Sequence, residues 1–261
     1  MKKLFFLTLI AVAALNSCTK KHNPVPAPKI DSLKVGLVAY YPFNFDSAVD
    51  SSGNGNDGTI YNITSVPDRF GKANSAYYFN GVDSYIDIKD NQALRLSNTD
   101  FTLNYWVNLD EYISLSGSAV LAKNNGPNQN GWNTSITGYG FAFNSPNNYG
   151  HAFYNVSGGP DPYAVGNQVI ATANWGMVTV QYNLNKQQIS IYINGVLDTT
   201  VSNIPTPNAN TSVDLFIGKN SYVDPSRNTP AYFIKGKLDD IRIYNRILSN
   251  SQIQQLHSLT Y

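Results

Sequence analysis

Apolar and polar residues alternate with a period of two over much of the chain, which is typical of strands with one buried face. In the segment Phe101–Leu109, the odd-numbered positions are apolar and most even-numbered positions are polar. The segment Gln188–Ile193 follows the same pattern, and Asn194-Gly195 then predicts a tight turn before a return strand from Val196. Asn-Gly favours such a hairpin because both central residues of the turn take positive φ.

Eight further segments are predicted as strands and one segment as a helix. The strands are residues 36–43, 75–79, 85–88, 119–123, 140–143, 178–182, 213–218 and 238–244. Residues 249–259 show helical spacing, with Ile253, Leu256 and, by spacing, Leu259 on one face after a Ser249 cap. So many short strands predict an all-β domain, a two-sheet antiparallel β-sandwich with a short C-terminal helix.

The beginning of the chain predicts an export signal. Two lysines precede an apolar run that is too short for a permanent membrane span. The run ends in Leu-Asn-Ser-Cys at residues 15–18, which resembles a bacterial lipobox and implies cleavage before Cys18 and lipidation of its sulfur. The alternative is an ordinary signal peptide with an incidental cysteine.

These features divide the chain into three parts. They are a lipoprotein signal peptide (1–17), the lipidated Cys18 with a proline-rich linker (18–34), and one β-domain (35–261). Several acyl chains anchor a protein stably to a membrane. Thr19 replaces the aspartate that signals inner-membrane retention in some enterobacterial lipoproteins. We therefore expect an outer-membrane lipoprotein of the cell envelope, with the leaflet left open.

Composition excludes several classes of function. The 18 basic and 17 acidic side chains give a net charge of +1, so we expect no nucleic-acid partner. Glu111 is the only glutamate, which excludes glycosidases built on paired glutamates. Cys18 is the only cysteine, so an intramolecular disulfide is excluded as well. The three histidines lack metal-ligand spacing.

Eight segments carry motifs in a fixed order along the chain. They are residues 36–43, 50–59, 79–86, 101–107, 175–180, 191–195, 216–218 and 236–249. Together they resemble the laminin-G-like, concanavalin A-like jelly-roll domains of bacterial envelope proteins. The resemblance implies the concanavalin A-like fold, a scaffold that carries lectins, adhesion modules and enzymes alike. Within it, Trp106 and Trp175 match packing positions, and Arg69 matches a position where we expect a structural salt bridge to a nearby Asp.

The loop at residues 50–59 has the spacing of a calcium-binding segment. Asp50, Ser52 and Asn54 are spaced by two and Gly55 follows, which is the front half of an oxygen-rich calcium loop. A complete EF-hand is excluded, because its twelfth position would be Tyr61 instead of a glutamate.

In the resembling family such a loop lies beside the start of the last strand. The alternation of Ile241 and Ile243 predicts that Asp239 faces inward and that Asp240 faces the other way. An inward carboxylate must be paired, and we predict a structural Ca²⁺. Its ligands are expected to be Asp50, Asn56 or Asp57, Asp239 and backbone carbonyls. The alternative is that Asp50 caps a turn and Asp239 accepts backbone hydrogen bonds.

Residues 124–167 are dense in asparagine, glycine and aromatic residues. Sugars bind to aromatic faces through their C–H surfaces, and side-chain amides such as that of Asn133 hydrogen-bond their hydroxyls. Trp132, Tyr149, Tyr154 and Tyr163 lie among turn residues, so we predict that they are exposed and bind the ligand. The alternative is that these rings fold back over the edge of the sandwich.

Catalytic motifs are missing from the sequence. It contains neither the Glu-x-Asp-x-x-Glu strand of concanavalin A-like glucanases nor a Gly-x-Ser-x-Gly elbow. We therefore predict a non-enzymatic, lectin-like lipoprotein that binds a glycan or polysaccharide. The alternative is an adhesion or scaffold protein that binds an envelope protein through the sandwich surface.

Overall fold

A computed structural model describes residues 31–112, 117–125, 130–139, 149–156, 162–221 and 232–260. These residues form two antiparallel sheets. Sheet A consists of β1 Leu37–Tyr41, β3 Thr64–Val66, β4 Ala76–Asn80, β6 Phe101–Leu109, β11 Gly176–Asn183, β12 Gln188–Ile193, β13 Val196–Ser202 and β15 Lys235–Tyr244. Sheet B consists of β2 Gly58–Tyr61, β5 Tyr85–Ile88, β7 Ser118–Asn124, β8 Gly131–Ile136, β9 His151–Val156, β10 Tyr163–Val169 and β14 Leu215–Ile217. A 3₁₀ helix spans Gln92–Arg95, and α1 spans Asn250–Ser258.

Many strands that are neighbours in a sheet are not consecutive in the sequence. Sheet A runs β13-β12-β11-β6-β15-β4-β3, with β1 paired to β15, and sheet B runs β10-β9-β8-β7-β14-β5-β2. The predicted two-sheet antiparallel sandwich is confirmed. Strands β2, β3, β8, β9 and β10 were not predicted, and the strand predicted at residues 140–143 lies outside the described residues.

The core lies between the two sheets and is built from alternate residues of their strands. Leu103, Tyr105 and Ile243 of sheet A are fully buried against Ile86 and Ile217 of sheet B. The Tyr105 hydroxyl is buried there and lies 3.0 Å from Oγ1 of Thr134 on sheet B, so the polar tip of the ring has a partner. The inner faces of the two sheets are therefore packed together into one core.

Helix α1 packs on the outer face of sheet A. Ser249 caps it by accepting a hydrogen bond from the amide of Gln252, as its sequence predicts. Ile253 and Leu256 are buried against Trp106 and other residues of that face. Leu33, which the sequence places in the linker, also packs there. Part of the outer face of sheet A is thus covered by the chain itself.

Candidate functional site

A row of outward-facing side chains crosses sheet B. Tyr163, Asn155, Asn133, Ala122, Phe216 and Asp87 are successive register partners from β10 to β5. Neighbours of the row in the sequence, such as Tyr154, Trp132 and Ile217, belong to the core. Because successive side chains of a strand point to opposite faces, the row lies on the outer face of sheet B.

The middle of this row is made of amides. Asn133 Nδ2 donates a hydrogen bond to Asn155 Oδ1, and both residues are less than a tenth exposed. By alternation from Asn155 and Ala122, His151 on β9 and Asn124 on β7 also face outward. Within the described residues, His151 Nδ1 and Asn124 Oδ1 are buried without a hydrogen-bond partner. A buried polar atom without a partner is destabilising, and such atoms are places where a ligand hydroxyl or a water binds.

One end of the outer face carries aromatic rings and a lysine, which we call the lysine–aromatic cluster: Tyr61, Tyr85, Phe216 and Lys219. Tyr61 and Tyr85 are stacked, with ring centroids 4.4 Å apart and an interplanar angle of 12°. The Lys219 ammonium lies 3.9 Å from the centroid of Tyr85 and 4.2 Å from that of Phe216. Burial lowers the pKa of Lys219, and the charge of Asp87 opposes that shift.

Two more groups of rings lie on the β9–β10 side of the sandwich. Tyr163 is partly exposed and stacks on Phe153, with centroids 5.8 Å apart. Tyr149 is partly exposed, and its ring lies 4.6 Å from Tyr139 and 5.2 Å from Tyr112 between centroids. Tyr149 and Tyr163 are therefore neither buried nor fully exposed, and their role in binding stays a prediction.

Trp132 and Tyr154 are placed differently from the prediction. Both are fully buried in the core. Trp132 Nε1 donates to the carbonyl of Leu94 at 3.0 Å, and Tyr154 packs 5.9 Å from the ring of Phe101. The predicted exposure of these two rings is wrong, because they occupy the inward phase of β8 and β9. Rings held between the sheets cannot stack on a sugar from solvent.

The loop after β1 is organised around Asp50. Its Oδ1 accepts hydrogen bonds from the amides of Tyr40 and Ser52, both at 2.9 Å. Its Oδ2 accepts from the Ser52 hydroxyl at 2.8 Å and the Asn56 amide at 3.0 Å. Asp57 accepts from the amide of Asp50 itself at 2.8 Å. Asp50, Asn56 and Asp57 therefore lie close together, joined by hydrogen bonds in which the carboxylates of Asp50 and Asp57 accept and the Asn56 amide donates.

Asp239 lies in a different network, because β15 contains a bulge. Leu238 and Ile241 both face the core although they are three residues apart, and Asp240 between them has a φ of 53°. Asp239 and Asp240 consequently both face outward. The prediction that Asp239 faces inward, opposite to Asp240, is wrong.

Arg69 binds both of these carboxylates. Its Nη1 lies 2.6 Å from Asp239 and its Nη2 lies 2.7 Å from Asp240, and all three side chains are nearly inaccessible. The guanidinium also lies 4.6 Å and 4.5 Å from the ring centroids of Phe70 and Trp106. The salt bridge predicted for Arg69 is confirmed.

The predicted calcium ligands do not form one donor set. The carboxylate oxygens of Asp50 already accept amide and hydroxyl hydrogen bonds, and Asp239 pairs with Arg69. A cation would have to displace these donors, so the residues as placed do not fit a calcium ion. Among the described residues, no group of three or more His, Cys, Asp or Glu side chains is placed to hold a metal. Calcium binding stays a prediction from the sequence.

The predicted membrane anchor lies outside the described residues. Cys18 precedes the first described residue. Over the part of the chain that the structure covers, no helix has the length and apolar character that crossing a membrane requires.

Several residues of the outer face were missed by the sequence analysis. Tyr61, Tyr85, Phe216 and Lys219 come from segments up to about 160 positions apart in the chain. The alternation in Tyr85-Ile86-Asp87-Ile88 could have indicated part of this face, because its two isoleucines are core positions. Tyr85 and Asp87 then fall on the opposite face. Their proximity to Phe216 depends on the pairing of β5 with β14, which no local pattern indicates.

Solved structures with the same architecture include a domain of an arabinanase and the binding domains of toxins. Domain 4 of AbnA, a GH43 extracellular arabinanase from Geobacillus stearothermophilus, was solved in complex with arabinotriose. It aligns with a TM-score of 0.64 and 24% identity, over 85% of this chain and 98% of that one. The binding domain of Paraclostridial Mosquitocidal Protein 1 aligns with a TM-score of 0.63 and 19% identity, over 86% of this chain.

The binding domain of botulinum neurotoxin DC in complex with SialylT aligns with a TM-score of 0.61 and 14% identity, over 87% of this chain. The present chain spans 52% of each of the two toxin-derived chains. At these identities the likeness shows the fold alone. No curated protein sequence matches the chain.

A family model extends the comparison to the sequence. The model described as the concanavalin A-like lectin/glucanases superfamily matches residues 79–254, which include most strands of both sheets and part of α1. The family is thus shown by the sequence, and the solved structures show the same fold. The chain belongs to the concanavalin A-like lectin/glucanases superfamily.

Proposed function

We propose that the protein is a non-catalytic glycan-binding module whose site is the outer face of sheet B. The observation that carries this proposal is the row of side-chain amides between aromatic rings. Asn133 and Asn155 lie in the middle of the row, with Tyr163 at one end and Phe216 towards the other. Rings that stack on sugar C–H faces and amides that bind hydroxyls are the two chemistries that a carbohydrate needs.

The unpartnered polar atoms favour a hydroxyl-rich ligand. His151 Nδ1 and Asn124 Oδ1 are buried and lack hydrogen-bond partners within the described residues. A sugar hydroxyl both donates and accepts, so it can satisfy either atom. Structures with this fold include a domain solved with arabinotriose, which lends support from analogy.

Among the described residues, two carboxylates near the Phe216 end of the row are paired with a lysine. Asp87 and Asp214 both bind the Lys89 ammonium, at 2.8 and 2.9 Å. Although burial acts to raise it, the hydrogen bond from Lys89 leaves the pKa of Asp214 below its ordinary value. A general acid needs a raised pKa, so Asp214 is unsuited to that role, which favours binding without catalysis.

Affinity electrophoresis of the full chain in non-ionic detergent tests the proposal. Gels contain one polysaccharide each from a panel of neutral and acidic polymers, and Tyr163→Ala and Phe216→Ala are run beside the wild type. We expect at least one polysaccharide to retard the wild type and both variants to lose most of that retardation.

The matched control is Phe45→Ala. Phe45 is 86% exposed and lies in the loop after β1, away from the row. Its removal should leave retardation unchanged, while thermal melts check that every variant is folded. Equal loss in Phe45→Ala, or no retardation of the wild type by any polymer, overturns the proposal. The second result would favour the adhesion alternative.

We also infer that the module is held at the bacterial outer membrane by lipid on Cys18. The support is the sequence Leu-Asn-Ser-Cys at residues 15–18 after a short apolar run. A lipid-anchored module would present its glycan site close to the cell envelope.

A further inference from the structure

The lysine–aromatic cluster contains a lysine, Lys219, whose ammonium is not paired with any carboxylate of the described residues. Lys89 binds Asp87 and Asp214, and Lys123 binds Asp90 at 2.6 Å. Lys219, which follows β14 in the chain, forms neither an ion pair nor a hydrogen bond within the described residues. Its ammonium is instead held over the rings of the cluster.

Those rings position the ammonium but do not accept hydrogen bonds from its N–H groups. The faces of Tyr85 and Phe216 attract the cation through their quadrupoles, at 3.9 and 4.2 Å. An ammonium has three N–H donors, and aromatic faces offer no lone pair to accept them. The Lys219 donors therefore stay available to an oxygen acceptor, and an anionic oxygen gives the strongest hydrogen bond.

An acceptor and a stacking surface lie beside this charge. Asp87 is the register partner of Phe216, and its Oδ2 accepts from Lys89, which offsets its charge. Asp87 Oδ1 is buried and has no hydrogen-bond partner within the described residues. Tyr61 is 39% exposed and stacked on Tyr85, so its ring can contact a ligand. A cation, a carboxylate acceptor and a ring thus meet at one end of the outer face.

We propose that this end of the outer face binds an anionic sugar, one that carries a carboxylate or a sulfate. The anionic group binds the Lys219 ammonium, a neighbouring hydroxyl donates to Asp87 Oδ1, and the sugar ring stacks on Tyr61. This inference rests on the proposed glycan-binding function and goes beyond it by assigning the charge of the ligand and the residue that selects it.

Two matched pairs of polymers test the inference by calorimetric titration of the full chain in non-ionic detergent. Polygalacturonate is compared with its methyl ester, in which the carboxylates are neutralised, and dextran sulfate with dextran. We expect the anionic member of one pair to bind about tenfold more tightly, as one charge-assisted hydrogen bond provides. The pair that shows the preference identifies the anionic group, and the preference should shrink at high salt.

Three variants assign the preference to a residue. Lys219→Met keeps the apolar stem over the rings and should abolish the preference, whereas Lys219→Arg keeps the charge and should retain it. Lys186→Met removes a lysine from the exposed turn between β11 and β12 and should change nothing. Thermal melts confirm that each variant is folded.

The outcomes separate this inference from the proposed function. Equal binding of neutral and anionic members by the wild type overturns the inference and leaves glycan binding intact. A preference that survives Lys219→Met, or that falls equally in Lys186→Met, overturns the assignment to Lys219. If the wild type binds none of the four polymers and none of the wider panel, both proposals are overturned.

Discussion

Replacing Arg69 by methionine should strongly destabilise the fold. The Arg69 guanidinium lies over the rings of Phe70 and Trp106 and binds both outward carboxylates of the β15 bulge. Methionine retains much of the apolar contact but removes the charge and the donors. Among the described side chains, Arg69 alone donates to Asp239. The substitution therefore leaves a buried carboxyl group without its counter-charge.

The expected loss in the free energy of unfolding follows from the burial of the Arg69–Asp239 pair. Side chains of Arg69 and Asp239 are each 4% exposed, so solvent screens the interaction weakly. Removing one partner of such a pair costs about 3–5 kcal/mol. Protonation of Asp239 limits the penalty, and we expect about 3 kcal/mol at neutral pH. For a domain of this size that corresponds to a fall in Tm of about 6–12 °C.

The loss should also depend on pH. Burial, and then the charge of Asp240, raises the pKa of Asp239 to about 8, although Arg69 acts to lower it. The folded wild type thus holds a proton that the unfolded chain releases near pH 4, and its stability falls as pH rises from about 4 to about 8. Without Arg69 the pKa of Asp239 rises further, so the variant continues to lose stability above pH 8.

Urea denaturation followed by far-UV circular dichroism, at pH 7 and pH 9, measures both effects. Asp239→Asn should remove most of the pH dependence. Glu111→Gln is the control, because it breaks the exposed Lys235–Glu111 pair and should leave the stability almost unchanged. A loss below about 1 kcal/mol for Arg69→Met, or an equal loss at both pH values, would refute this account of the ion cluster.

Three further predictions concern the remaining assignments. Trp132→Phe removes the hydrogen bond to the Leu94 carbonyl and should lower the free energy of unfolding by about 1–3 kcal/mol. It should not change retardation by polysaccharide. If the folded variant loses retardation, Trp132 has a role in binding after all. Since Asp50 accepts four protein hydrogen bonds, EDTA and added Ca²⁺ should leave the Tm unchanged, whereas a calcium-dependent rise of several degrees would favour the predicted metal site. Cys18→Ala should move the protein from the detergent to the aqueous phase in Triton X-114 partitioning, and unchanged partitioning would contradict the lipid anchor.

Elements with a strong local signal could be predicted from the sequence. The strand Phe101–Leu109 and the turn at Asn194-Gly195 were found from alternation and from the positive φ that Asn-Gly accepts. The start of α1 was found from the Ser249 cap, because capping depends on residues three positions apart. In each case the physical cause lies within a few residues of the chain, so a short window contains it.

Burial of individual rings could not be predicted in the same way. Trp132 lies among asparagine and glycine residues, which obscure the alternation of β8 and give it the appearance of a loop. Alternation also identifies residues that share a face without saying which face is the core. Trp106 on the outer face of sheet A is buried beneath α1, so apolar residues occur on both sides of that sheet.

The sequence by itself determined the antiparallel sandwich, its C-terminal helix and the family, since these depend on local periodicity, caps and ordered motifs. Tertiary structure decided which face of the sheet Asp239 lies on. One extra residue at the β15 bulge interrupts the alternation, so Asp239 lies on the face opposite to the one that alternation from Ile241 predicts. Tertiary structure also decided the candidate site. Tyr163, Phe216 and Tyr61 are far apart in the chain and share one face only because β10, β14 and β2 join the same sheet. That pairing is a long-range property, and no local window of the sequence contains it.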